Sequence, residues 1–99
     1  SEGGIIDIIH NERAWADAII INPAGYTHTS VAIADAIRAV RLPTIEVHIS
    51  DIHKREPWRR VSVIRPACAD QIAGLGMASY TEGVRRLAAL LAAQEGSER

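Results

Sequence analysis

Glu46 and His48 stand two residues apart in the stretch Thr44-Ile45-Glu46-Val47-His48-Ile49-Ser50. On an extended strand that spacing places both side chains on one face, roughly 6.5–7 Å apart along the chain and within side-chain reach. A carboxylate bonded to one imidazole nitrogen fixes the tautomer and leaves the other nitrogen to act as a general acid or base. The competing reading makes Thr44, Glu46 and His48 the solvated face of an edge strand. Asn22 ends an earlier apolar run and offers an amide to the same place. His28 opens the next helix, where it either enters the crevice or serves as a surface or capping histidine. Arg55 and Arg59 are four apart in a charged loop and share one side if that loop is locally helical. Such a pair suits a carboxylate or a set of hydroxyls, and is otherwise simply solvated. The backbone N–H groups of Ile49 and Ser50, at the end of the second strand, can cradle a carboxylate.

Other chemistries find less support. His10, His28, His48 and His53 are scattered, without the helical H-x-x-x-H spacing or the Cys/His pairing of a zinc site. Pro66-Ala67-Cys68-Ala69 reads as small-residue packing rather than as the seat of a nucleophile. Gly74-Leu75-Gly76 is too short to be a phosphate loop.

Residues 2–16 carry Ile5, Ile6, Ile8 and Ile9 at helical spacing. Ala18-Ile19-Ile20-Ile21 is short, β-branched and apolar on both faces, as a buried parallel strand requires. After the turn residues Asn22-Pro23-Ala24-Gly25, Thr29 or Ser30 caps a helix with Ile33, Ala36, Ile37 and Val40 on one stripe, ended by Pro43. Residues 44–49 alternate as a strand, 50–60 form the charged loop, 61–64 suggest a short strand and 70–76 a buried one. Residues 79–93 place Tyr80, Val84, Leu87 and Leu91 on a helical stripe, and 96–99 form a polar tail. Strands alternating with helices predict an α/β sandwich on a parallel sheet. Ligands of such sheets bind beyond the carboxyl ends of the strands, where Asn22 and His48 fall side by side if their strands are neighbours. The apolar run 19–21 suits a sheet interior, yet a single short helix precedes it. The chain opens on Ser1 rather than methionine, so an N-terminal portion is expected to lie elsewhere.

The chain has 99 residues, 47% of them hydrophobic and 23% charged, so it makes at most one modest domain of globular composition. A net charge of −1 argues against a nucleic-acid surface. One cysteine forms no internal disulfide, and no run has the length of a membrane span or the layout of a signal peptide, so a cytoplasmic location is expected.

Asn22-Pro23-Ala24-Gly25-Tyr26-Thr27-His28-Thr29-Ser30 resembles the first signature of the type II 3-dehydroquinate dehydratases. The stretch from Pro43-Thr44-Ile45-Glu46-Val47-His48-Ile49-Ser50 through Asp51-Ile52-His53-Lys54-Arg55-Glu56-Pro57-Trp58-Arg59 is similar to the family's second, and Gly74-Leu75-Gly76 with Tyr80 to its last segment. The likeness runs over residues 3–91 and makes the chain similar to the C-terminal two-thirds of such an enzyme.

The resemblance implies a flavodoxin-like fold, residues 1–99 being one partial domain that lacks its first two strands. It implies cofactor-free anti elimination of water from 3-dehydroquinate through an enolate, giving 3-dehydroshikimate, with no metal. By position His48 is then the general acid for the departing hydroxyl, oriented by Glu46, with Asn22 holding the hydroxyl or the histidine. His28 and Arg59 bind ring hydroxyls, the backbone at Ile49 and Ser50 binds the carboxylate, and Arg55 is a further candidate. Asp35 reaches a neighbouring subunit's site, which implies a trimer-based homo-oligomer, commonly a dodecamer. The family's base is a tyrosine on a mobile N-terminal loop, a role that neither Tyr26 nor Tyr80 fills. Two alternatives stay open: an inactive fragment or binding and assembly subunit of the same fold, and a phosphoacceptor signalling domain. The latter wants an aspartate where Asn22 stands.

Overall fold

The computed structural model describes residues 1–54, 56–59 and 61–98. Three strands, β1 (Ile19–Ile21), β2 (Thr44–His48) and β3 (Asp70–Ala73), form a parallel sheet in the order β1-β2-β3. Helices α1 (Glu2–Glu12) and α2 (Val31–Val40) cover one face, and α3 (Ala78–Glu98) covers the other. This is the expected parallel α/β arrangement, with β2 central and buried throughout. The edge-strand reading of residues 44–48 is therefore wrong: neighbours on both sides take that strand's backbone groups, and all five side chains leave solvent.

Alternation along the strands sorts the two cores. Ile45, Val47 and Ile72 pack with Leu87 of α3, flanked by Ile20 and Tyr80. Ile21 packs with Ile9 of α1, with Ile33, Ala34, Ala36 and Ile37 of α2, and with Ile64 and Cys68. Ser30 caps α2, its hydroxyl accepting from the Ile33 N–H at 3.0 Å. The helix ends at Arg41 in a left-handed conformation, two residues before Pro43. Gly83 lets α3 settle on the sheet, since a Cβ there would stand 3.3 Å from Val47 Cγ1 and 3.4 Å from Ile20 Cδ1.

Several element expectations need correction. The first helix stops at Glu12 rather than 16, and Ile8 lies outside its buried stripe, 64% exposed. Val84 also faces out, and α3 continues through residues 96–98 instead of fraying into a tail. Residues 61–64 are not a strand. They form a strap pinned by the Val63 N–H donating to the Thr27 carbonyl at 2.9 Å, followed by a 3₁₀ turn at Arg65–Ala67. β3 ends at Ala73 because Gly74 takes φ +81°, so the chain turns there and the strand is shorter than residues 70–76. β1, by contrast, sits at the open edge of the three-stranded sheet, as the absence of two earlier strands from the described residues implies, with Ile19 and Ile20 half-buried.

Candidate active site

Parallel pairing puts Ile21 beside Glu46 and Glu46 beside Gln71, so β1, β2 and β3 deliver polar groups to one end of the sheet. Beyond that end lies a cavity of about 270 Å³ lined by Asn22, Ala24, Gly25, His28, His48, Ile49, Ser50 and Ile52. Of the residues singled out from sequence, Asn22, His28, His48, Ile49 and Ser50 thus meet at one place, and Glu46 lies directly beneath His48.

Glu46 is fully buried, and His48 is 6% exposed. His48 Nε2 lies 2.6 Å from Glu46 Oε2. The same oxygen accepts from Gln71 Nε2 at 2.5 Å, and Glu46 Oε1 accepts from the Ser62 hydroxyl at 2.6 Å. Burial by itself pushes the Glu46 carboxyl up. The hydrogen bonds from His48, Ser62 and Gln71, with the charge of His48, outweigh it and hold the group below its ordinary value of 4.5. Glu46 is therefore an anion, and the proton between it and His48 belongs to Nε2. Nδ1 is left as the nitrogen not committed to Glu46.

Asn22 occupies the cavity wall, but its described hydrogen bonds run to Tyr80 and Ala24, not to His48. Its Nδ2 donates to the Tyr80 hydroxyl at 3.0 Å, and its Oδ1 accepts from the Ala24 N–H at 3.1 Å. His28 Nδ1 donates to the Val61 carbonyl at 2.8 Å, since a carbonyl only accepts. In the neutral ring Nε2 then remains an acceptor. Trp58 meets the His28 ring edge-on, with centroids 6.1 Å apart. The Gly76 N–H donates to the Ile49 carbonyl at 2.9 Å, and the Ser79 hydroxyl to the His48 carbonyl at 2.9 Å. The loop after β3 and the start of α3 thereby fix the end of β2.

Of the other three expected site residues, one is seen to stand apart. Asp35 is exposed on α2 and pairs with Arg38 at 3.3 Å, away from the cavity. Arg55 lies outside the described residues. Arg59 closes the 3₁₀ turn Pro57–Arg59, and a second such turn spans Ile52–Lys54, so the loop is locally helical in two short pieces. Cys68 is buried with its thiol pushed up to about 12, first by burial and then by the Glu46 charge, and its S–H faces the Ile64 carbonyl at 3.6 Å. That is a packed, unreactive thiol.

Sequence reasoning missed Ser62, Gln71 and Ser79, and it did not link Tyr80 to Asn22. Gln71 had a usable signal, because a parallel neighbour of β2 in register opposes some residue to Glu46 on the same face. Ser62 and Ser79 had none, as each acts through a turn whose geometry is set by tertiary packing.

A buried carboxylate–imidazole pair at the carboxyl end of a parallel sheet, opening on a polar cavity, is an α/β arrangement that can support proton transfer. Comparison with known proteins narrows this. The chain matches the family model described as Dehydroquinase class II over residues 1–88, and it belongs to that family. It is 63% identical to the 3-dehydroquinate dehydratase of Caldicellulosiruptor bescii over 82 residues, 80% of this chain and 55% of that protein. With the 3-dehydroquinate dehydratase of Clostridium acetobutylicum it shares 49% identity over 90 residues, 91% of this chain and 62% of that one. The crystal structure of the type II dehydroquinase from Butyrivibrio crossotus superposes with a TM-score of 0.85 at 44% identity, covering 88% of this chain and 61% of the other. The chain thus spans little more than half the length of these relatives. No helix among the described residues is long and apolar enough to cross a membrane.

Proposed function

We propose that this chain carries the acid side of a dehydratase site that converts 3-dehydroquinate to 3-dehydroshikimate. The observation that supports it most is the Glu46–His48 pair, buried and bonded at 2.6 Å, beside a polar cavity on a chain of the dehydroquinase family. In the anti elimination a base removes the C2 proton and an enolate forms. The electron pair then re-forms the ketone as the new double bond displaces the C1 hydroxyl, which leaves as water with a proton from His48. Glu46 stabilises the imidazolium and fixes its orientation. Asn22 stands where it can steady the departing hydroxyl, and His28 accepts from a ring hydroxyl through Nε2. The backbone at Ile49 and Ser50 receives the carboxylate, with Arg59 and Arg55 as further ligands from the loop. No cofactor or metal has a role in this scheme. The base is a tyrosine from a segment outside residues 1–99. Asp35, exposed on α2, is assigned to a neighbouring subunit's site in a trimer-based homo-oligomer, a dodecamer, in the cytoplasm, with residues 1–99 forming part of one domain.

The test is the ultraviolet absorbance of 3-dehydroshikimate formed from 3-dehydroquinate. Turnover by the protein with its base-bearing segment present, and its loss by about 10²–10⁴-fold in His48→Ala, are expected. Absence of turnover in that protein, with a substrate analogue still bound, would overturn the lyase reading in favour of a binding module.

A further inference from the structure

The acid does not stand on Glu46 alone. Ser62 Oγ accepts the Ile64 N–H at 3.2 Å and the Arg65 N–H at 2.9 Å. A hydroxyl has one proton, and with its lone pairs taken by two backbone donors that proton is directed at Glu46 Oε1, 2.6 Å away. The Ser62 hydroxyl is thus locked as a donor and cannot rotate to accept a proton from a neutral Glu46. Gln71, the cross-strand neighbour of Glu46 on β3, brings its Nε2 to the other oxygen at 2.5 Å. Both oxygens therefore face donors, and a protonated carboxyl finds no acceptor for its own O–H in Ser62 Oγ or Gln71 Nε2; only a His48 Nε2 stripped of its proton could take it. Besides these three, Ile21 of β1 stands in register beside Glu46, and the buried Cys68 thiol is a further titratable group near enough to feel its charge.

We propose that Ser62 and Gln71 are positioning residues for the acid, their donated hydrogen bonds keeping Glu46 an acceptor so that His48 holds a proton on Nε2 and presents Nδ1 to the cavity. The inference rests on the dehydratase reading for the use made of Nδ1, but not for the proton placement itself. The two residues come from different elements, the strap that crosses the site and the neighbouring strand. Any change in the docking of either alters the charge of the pair without touching substrate.

The experiment titrates the Glu46 side-chain carboxyl by carbon NMR, in parallel with the pH profile of turnover, in the wild-type protein and in Gln71→Leu, Ser62→Ala and Ser62→Thr. Removing a donor lets desolvation of Glu46 prevail, so in Gln71→Leu and Ser62→Ala its midpoint moves up by about one pH unit. The acid limb of the turnover profile moves up with it. Ser62→Thr keeps the hydroxyl and stays at the wild-type midpoint. A folded Gln71→Leu whose carboxyl midpoint is unmoved would overturn the proposal, and so would a wild-type carboxyl that titrates at or above the ordinary glutamate range. If Ser62→Ala does not fold, Gln71→Leu decides alone, because it disturbs no backbone donor. Absence of turnover in every protein, with the base-bearing segment present, defeats the dehydratase reading only, and leaves the carboxyl titration to decide this one.

Discussion

Ile45 and Val47 point from β2 toward α3, while Thr44, Glu46 and His48 point to the side covered by α1 and α2, and all five are buried. On the α3 side burial is its own reward, since each apolar side chain leaves water at a gain of about 1.5–3 kcal/mol. On the other side burial is a cost, because an ionised carboxylate loses its hydration and must be compensated by hydrogen bonds. The protein meets that cost with Ser62, Gln71 and His48, and no buried side-chain nitrogen or oxygen among the described residues lacks a partner. A well-packed apolar pair would have held the strand as well. On the proposed dehydratase reading, the charge is kept there for the chemistry it supports.

That contrast can be broken at either face. Glu46→Gln, which removes the charge and keeps the shape, is expected to lower turnover per folded molecule by about 10²-fold or more. Steady-state kinetics corrected for the folded fraction would show it, and near-normal turnover would mean that the carboxylate is only structural. On the opposite face Ile45→Ala should cost about 2–5 kcal/mol in urea unfolding, with turnover per folded molecule unchanged. A comparable fall in turnover would erase the distinction between the faces.

The pH dependence of stability sharpens the comparison further. Glu46 titrates lower in the folded chain than its ordinary 4.5, so it contributes stability that is complete above that value and is lost as pH falls through the depressed folded value. Folding stability measured from neutral pH downward should therefore decline more below 4.5 in the wild type than in Glu46→Gln. Parallel curves for the two proteins would show that Glu46 is not held as an anion. The smallest effect is expected at Gly74→Ala, where a left-handed backbone and a Cβ placed 3.1 Å from Asp51 Cβ cost about 1–2 kcal/mol. That loop also holds the Ile49 carbonyl through Gly76, so the Michaelis constant should rise together with the loss of stability.

Much of this was legible in the residues. Period-two alternation placed Glu46 and His48 on one face, and the parallel crossover put Asn22 and His48 at the same sheet end, both from local pattern. What alternation could not say is whether that face meets water, because β2 is identical in sequence whether central or at an edge. Only β3, pairing on its far side, decides the matter. The strap at Ser62 was read as a strand since Val61 and Val63 alternate with it. Its true role depends on contacts with Thr27, His28 and Glu46, which are 16 to 36 residues away in sequence. Asn22 was expected to hold the departing hydroxyl or His48, and its amide nitrogen is bonded to Tyr80, on a helix 58 residues on.

The most direct measurement is the imidazole nitrogen NMR of His48 in the resting, isotopically labelled protein. A proton on Nε2 throughout the pH range in which Glu46 is ionised is the predicted result. An unprotonated Nε2, with the single proton on Nδ1, would contradict it: the carboxylate would not be holding the acid, and the polar face of β2 would have lost its explanation.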